Sequence, residues 1–311
     1  MGSLKKNILI GVPCKNEHDN IPKFLNSLEN TIKNLNDYNF TLLFVDDGST
    51  DNTWFILSEL SFNYKYIKAA KFTRNFGKES AIKFIINYSS IGNYDYMILL
   101  DADLQHPPLL IKDLIKKAIS GSSKIILSKK INEKKSLVRS IFTSIFYKTF
   151  NFFSSFSIPK DISDYSILNR RAILLLDKLN DQFFNYKAAI QWLGLEYQLI
   201  NFQVPIREFG KSNFNFLQLI KYSLKIFLSY NPSLIFKLTA FVTIIFWFLL
   251  ITCLIISNIY FNSNFYLQSS LIIILIFFWL SIVFVIFSFF IYRISQNVDN
   301  KPSYIIDDFK N

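Results

Sequence analysis

The chain is 311 residues long with a formal net charge of +11 at pH 7; 51% of it is hydrophobic, and it has two cysteines and two histidines. Cys14 and Cys253 lie in unlike settings and give no disulfide framework, and His18 with His106 are too few for a histidine-built metal centre. The positive charge calls for an anionic partner, and the apolar C-terminal third favours anionic lipid over nucleic acid.

The first apolar run, Ile8 to Val12, is far shorter than a signal-peptide core, so the expectation is a domain that is not exported. From there short apolar runs alternate with longer amphipathic ones, the pattern of an α/β fold with a mostly parallel sheet flanked by helices. Strands are expected at Asn7–Val12, Thr41–Val45, Tyr66–Lys71, Tyr96–Leu100 and Lys124–Leu127. Helices fit between them at Asn20–Leu35, Thr53–Phe62, Lys78–Asn87 and Pro108–Ser120. Ligands of such open sheets sit outside the carboxyl ends of the strands, which directs attention to the residues just after each one.

Two later segments, Ser136–Phe153 and Phe214–Tyr230, are rich in Phe, Ile and Leu but interleave Arg139, Lys148, Lys221 and Lys225. They read either as helices lying in a membrane interface or as ordinary amphipathic packing on the sheet. Residues 238–292 contain no Asp, Glu, Lys or Arg and are bracketed by Lys237 and Arg293. A polar patch at Asn258–Ser270 divides that run into two apolar stretches, each near the ~20 residues needed to cross ~30 Å of hydrocarbon. The expectation is a transmembrane hairpin with helices at 234–257 and 271–293, a non-cytoplasmic loop at 258–270, and both termini cytoplasmic by the Lys and Arg distribution. Residues 1–213 then form the catalytic domain, with an interfacial helix at about 136–153; 214–233 is a juxtamembrane helix and 294–311 a cytoplasmic tail. That organisation describes a multi-pass protein of a bacterial plasma membrane. The apolar run has few small residues for close helix pairing, and a homo-oligomer is left open.

Acidic residues crowd the expected strand ends. Val12-Pro13-Cys14-Lys15-Asn16-Glu17 follows the first strand and Val45-Asp46-Asp47-Gly48-Ser49-Thr50-Asp51 the second. Asp51 suits a helix cap. Asp46 and Asp47 are adjacent carboxylates that repel unless they meet a cation or accept hydrogen bonds, as from a base and a ribose. The fourth strand ends in Asp101-Ala102-Asp103-Leu104-Gln105-His106-Pro107-Pro108. Asp-x-Asp straight after a buried strand offers two hard oxygen donors at the ligand edge, suited to Mg²⁺ or Mn²⁺ bridging a diphosphate, with Gln105 as a further carbonyl ligand. His106 reads as a loop residue, not a metal ligand.

The order and spacing of these segments resemble a family 2 glycosyltransferase of the GT-A fold, and within it the polyprenyl-phosphate hexosyltransferases, which include bactoprenol glucosyltransferases and dolichol-phosphate mannose synthases. The matching pieces are VPCKNEHDN at 12–20, VDDGSTDNT at 45–53, RNFGKESA at 74–81, DADLQHPP at 101–108, DYSILNR at 164–170 and REFGKSNF at 207–214. The resemblance implies that Pro13, Glu17, Asp46 and Asp47 surround the nucleoside. It implies that Asp101, Asp103 and Gln105 hold the divalent ion, with Ala102 lining the nucleotide sugar and Lys78 reaching it. Asp164 lies beside the reacting centre, Arg207 and Ser212 belong to a loop that closes over the phosphates, and Arg139 grips the acceptor phosphate. Four positions depart from the pattern: Ser166 and Asn169 stand where Arg and Asp are usual, Asn213 where Lys follows the loop serine, and His106 where Asp is frequent.

The implied reaction is inverting transfer of a hexose, best matched by glucose from UDP-glucose with a GDP-sugar as the other donor, to a polyprenyl phosphate such as undecaprenyl phosphate. The product is a lipid-linked sugar for cell-envelope glycans. The partners are thus a nucleotide sugar, a polyprenyl phosphate lipid and a membrane, with no nucleic acid. A processive polysaccharide synthase would need a Gln-x-x-Arg-Trp segment, and Gln191-Trp192-Leu193-Gly194-Leu195 lacks the arginine. A transferase with another lipid or glycan acceptor keeps the same donor chemistry. A silent membrane scaffold is disfavoured because both Asp101 and Asp103 are present.

Overall fold

A computed structural model describes residues 5–121, 123–131, 137–179, 184–205, 232–260, 265–298 and 302–311, with 223, 226 and 230 as isolated positions between them. The chain divides into two compact units, one of Met1–Ile220 with Pro302–Asn311 and one of Lys221–Lys301.

In the first unit, strands β1 (Lys6–Cys14), β2 (Tyr38–Asp46), β3 (Ile67–Phe72), β4 (Tyr96–Leu99), β5 (Ile125–Ile131), β6 (Ile162–Asn169), β7 (Tyr197–Gln203) and β8 (Ile306–Lys310) make one sheet among the described residues, in the order β7-β5-β6-β4-β1-β2-β3-β8. The block β4-β1-β2-β3 is parallel, as expected from its apolar runs. The sheet as a whole is mixed, because β6 runs antiparallel between β4 and β5 and β8 antiparallel to β3. The architecture is a GT-A-like α/β fold. Helices α1 (Ile21–Ile32), α2 (Thr53–Asn63), α3 (Lys78–Ile91), α4 (Leu110–Ser120), α5 (Leu137–Phe153), α6 (Arg170–Asp177) and α7 (Tyr186–Trp192) follow in chain order.

Two apolar cores fill the two faces of the sheet. One joins Ala81, Ile82 and Ile85 of α3 with Ala172 and Ile173 of α6 and Ala189 and Ile190 of α7. The other joins Ile21, Phe24 and Leu28 of α1 with Leu57 of α2 and Ile111 and Leu114 of α4. Gly11 sets how closely α3 lies on β1, since a Cβ there would stand 2.2 Å from Ile85 Cγ2. That close approach brings the first residue of α3, Lys78, over the sheet's ligand edge.

Part of the expected tail folds back. Residues 306–310 form β8 on the free edge of β3, and the Tyr304 ring stacks on Phe72 at 5.3 Å with 6° between planes. A covered edge cannot template pairing with another chain.

The second unit contains α8 (Pro232–Tyr260) and α9 (Phe265–Val298), with the Phe246 and Trp279 rings stacked at 5.4 Å. Helices therefore form at 234–257 and 271–293, but the expected transmembrane hairpin is not supported. Among the described residues, no helix is long and apolar enough to cross a membrane. Freedom from charge over a long run was insufficient grounds for a span, and the assignment as a multi-pass membrane protein with cytoplasmic termini falls with it. The segment Phe214–Tyr230, expected as an interfacial helix, lies outside the described residues apart from three positions.

Candidate active site

The loops after β1 and β2 are knitted to each other. Asn16 adopts a left-handed φ of 55°, its amide donates to Ser49 Oγ at 2.9 Å, and its own Oδ1 accepts the Thr50 amide at 2.9 Å. The Glu17 amide donates to Thr53 Oγ1 at 2.9 Å, and its carboxylate accepts from Asn20 Nδ2 at 2.5 Å. Asp51, one residue ahead of the N-cap Asn52, accepts the Thr53 amide at 3.0 Å and holds His18 Nδ1 at 2.6 Å. Pro13 lies in β1 opposite Val45, beside this cradle.

The paired acids have unlike surroundings. Asp47 accepts the Phe76 amide at 2.7 Å and the Gly77 amide at 2.9 Å, so it ties the loop ahead of α3 to the end of β2. Gly48 permits that approach: its φ is +64°, and a Cβ would stand 2.5 Å from the Arg74 carbonyl carbon. Asp46 is fully buried; its Oδ1 accepts from the Ser49 amide at 2.9 Å and hydroxyl at 2.5 Å, while Oδ2 finds no donor among the described residues. Burial pushes both carboxyls up from the ordinary aspartate range, against hydrogen bonds from Ser49 and from Phe76 and Gly77.

At the end of β4 the decisive geometry comes from strand register. Leu99 pairs with Ser166 in the antiparallel β4–β6 ladder, and extending that register two residues sets Asp101 opposite Asp164. Lys78 reaches down from the start of α3 between them. Its Nζ lies 2.7 Å from Asp101 Oδ1, 2.9 Å from Asp101 Oδ2 and 2.7 Å from Asp164 Oδ2. Lys187, from α7, stands 3.5 Å from Asp164 Oδ1. Burial alone would raise the Asp164 carboxyl, but Lys187 and Lys78 outweigh it and hold it well below the usual carboxylate range. Asp101 is held down the same way by Lys78. The two acids in turn push the Lys78 ammonium up against its burial.

The Asp101–Gln105 turn is fastened from beneath. The Asp101 amide donates to His106 Nδ1 at 2.9 Å, which leaves Nε2 as the protonated nitrogen facing Ser163 Oγ at 2.6 Å. The imidazole is 2% exposed and stacked on Tyr165 at 5.1 Å, and burial lowers its pKa to about 4. His106 sits in the loop between β4 and α4, as expected, and there it is a neutral buried brace. Leu104 takes φ 61°, a left-handed conformation a branched side chain adopts only when its surroundings enforce it, and the Gln105 amide donates to Asp103 Oδ1 at 3.1 Å across that bend.

The departures from the family pattern have local reasons. Ser166 is buried against Tyr186, Oγ to phenol oxygen 2.5 Å, and Asn169 caps α6 by accepting the Ala172 amide at 3.0 Å. Sequence reasoning missed Lys187 and Glu79. Glu79 accepts Asn185 Nδ2 at 2.8 Å and the Tyr186 amide at 2.9 Å, which pins the start of α7. Arg139 lies within α5, and Arg207, Ser212 and Asn213 lie outside the described residues. Among the described residues, no group of three or more His, Cys, Asp or Glu forms a metal cage.

Residues 9–175 match the model of Glycosyl transferase family 2. The chain belongs to that family. As a family 2 member it is a glycosyltransferase. It is 31% identical over 225 residues, 72% of this chain and 67% of the relative, to CsbB of Bacillus subtilis (strain 168), a protein named as a glycosyltransferase. It is 27% identical over 208 residues, 67% of this chain and 66% of the relative, to the bactoprenol glucosyl transferase of Shigella phage SfV. The match thus spans about two thirds of each relative's length. Mannosyl-3-phosphoglycerate synthase from Rubrobacter xylanophilus shares the fold, with a TM-score of 0.51 at 11% identity over 74% of each chain.

Proposed function

We propose that this family 2 glycosyltransferase moves a hexose from a nucleoside diphosphate sugar to the phosphate of a polyprenyl lipid, with inversion. The observation that carries the reading is the Lys78-Asp101-Asp164 cluster at the ligand edge, in a family whose relative named above is a bactoprenol glucosyl transferase. The acceptor phosphate oxygen attacks the anomeric carbon, and the bond from that carbon to the diphosphate oxygen breaks with its electron pair. The nucleoside diphosphate leaves. The nucleophile is already an anion, so no strong base is needed. Asp164 fits this, because an acid held ionised by two lysines is a poor proton acceptor and a good orienting group.

Asp46, whose buried Oδ2 has no donor among the described residues, Glu17 and Pro13 form the nucleoside cradle; Asp47 acts by holding the 74–77 loop over it. Ala102 and Lys78 line the sugar diphosphate. Asp101 and Asp103 are hard oxygen donors suited to Mg²⁺ or Mn²⁺, which takes one or two carboxylates and completes its shell with substrate phosphate oxygens, so the absence of a closed cage is compatible with this ion. Gln105 is a further oxygen donor in the same turn. When bound, the ion neutralises charge on the departing diphosphate. Arg139, Arg207 and Ser212 are assigned to the acceptor and diphosphate. Glucose from UDP-glucose is the preferred donor. Calorimetry of the purified protein tests the metal assignment: Asp103→Ala should remove Mg²⁺-dependent nucleotide binding, and binding equal to wild type would refute that role.

A further inference from the structure

We infer that Lys187 is a binding residue for the acceptor's phosphate, an inference that rests on the proposed transfer to an anionic acceptor. An ammonium has three N–H donors. Those of Lys78 are taken by both oxygens of Asp101 and one of Asp164, at 2.7 to 2.9 Å. Lys187 differs in each respect. Its contact to Asp164 Oδ1 is 3.5 Å, an ion pair longer than a hydrogen bond, and its side chain is 29% exposed. Between these two lysines, both among the described residues, Lys187 is the one with donors to offer an incoming anion.

Its position is built into the fold. Glu79 takes the Asn185 side chain and the Tyr186 amide, Asn185 caps the helix through the Ala188 amide at 3.0 Å, and the Tyr186 hydroxyl is held by Ser166. Lys187 follows directly on these three anchors. Lys78 joins Asp101 to one oxygen of Asp164, whereas Lys187 lies at the other oxygen, away from the turn that faces the diphosphate. Tyr147 of α5 lies within electrostatic reach of the same ammonium. These relations place Lys187 on the acceptor's side of Asp164, not the donor's.

The test uses the full-length enzyme, steady-state kinetics with undecaprenyl phosphate and a nucleotide sugar, and the variants Lys187→Met and Lys187→Arg. Methionine keeps the packing stem without the charge. Losing one charge-assisted hydrogen bond should raise the acceptor KM about ten- to a hundredfold while the donor KM stays within about twofold, and arginine should recover most of the loss. A rise in donor KM of the same size would assign Lys187 to the diphosphate. A fall in kcat with both KM values unchanged would make it a positioning residue for Asp164. Either result overturns the inference, as would wild-type kinetics in Lys187→Met. A wild-type enzyme that glycosylates no polyprenyl phosphate overturns the proposed function instead, a failure visible before any variant is measured.

Discussion

Lys78 and Asp164, separated by 86 residues in sequence, meet at 2.7 Å at the edge of the sheet. The same ammonium holds Asp101, so two carboxylates that would repel are kept close and ionised. Lys78→Ala should lower kcat at least a hundredfold, because the acids then draw in protons or move apart and the oriented charge around the anomeric carbon is lost. Lys78→Arg should recover little, since the larger planar guanidinium does not fit the space in which one compact ammonium sits 2.7 Å from both acids. Rates at saturating donor and acceptor, with a thermal melt to confirm folding, check both.

The two adjacent acids of β2 should behave differently on amidation. Asp46→Asn removes a buried charge that burial already disfavours while preserving an acceptor for Ser49, so stability should hold or rise slightly. Nucleotide affinity should fall. Asp47→Asn replaces an acceptor oxygen by a donor facing the Phe76 or Gly77 amide, and should cost about 1–3 kcal/mol of stability besides weakening nucleotide binding. Denaturant titration beside nucleotide titration separates the cases.

The two histidines should titrate on opposite sides of the ordinary value. Hydrogen bonding to Asp51 raises His18 above 6.5, and burial lowers His106 to about 4. For His18 the folded pKa lies above the unfolded one, so its contribution to stability is complete below about 6.5 and fades as pH rises through the raised value. For His106 the folded pKa lies below the unfolded one, so folding is disfavoured progressively as pH falls from about 6.5 towards 4. NMR titration of the metal-free protein should show two separated midpoints, and Asp51→Asn should move only the upper one back.

The parallel half of the sheet was legible because β1 to β4 are apolar runs between amphipathic helices, and the acids after β1, β2 and β4 mark its ligand edge. β6 was not. Its Ser163 and Ser166 are buried and satisfied by His106 and Tyr186, partners 57 and 20 residues away, so the strand reads as polar. β7 is an edge strand whose one buried side chain is Phe202 and whose Leu199 is exposed, and β8 carries Asp307 and Asp308; neither reads in sequence as an alternation of apolar and polar residues. Asp164 was found through family resemblance, but its partnership with Lys78 follows from the β4–β6 register, which no local pattern encodes. Lys187 sits in a seven-residue helix without a motif, positioned by Glu79 of α3. The long charge-free run misled in the opposite direction: its absence of charge was plain, and the span inferred from it was not supported.

Transfer to a lipid phosphate can be read by incubating the purified full-length protein with Mg²⁺, a panel of radiolabelled UDP- and GDP-hexoses, and either undecaprenyl phosphate or undecaprenol. One labelled lipid product should form, only with the phosphate-bearing lipid, and it should disappear in Asp103→Ala. Equal labelling of undecaprenol, or label passing to neither lipid with any donor, would contradict it.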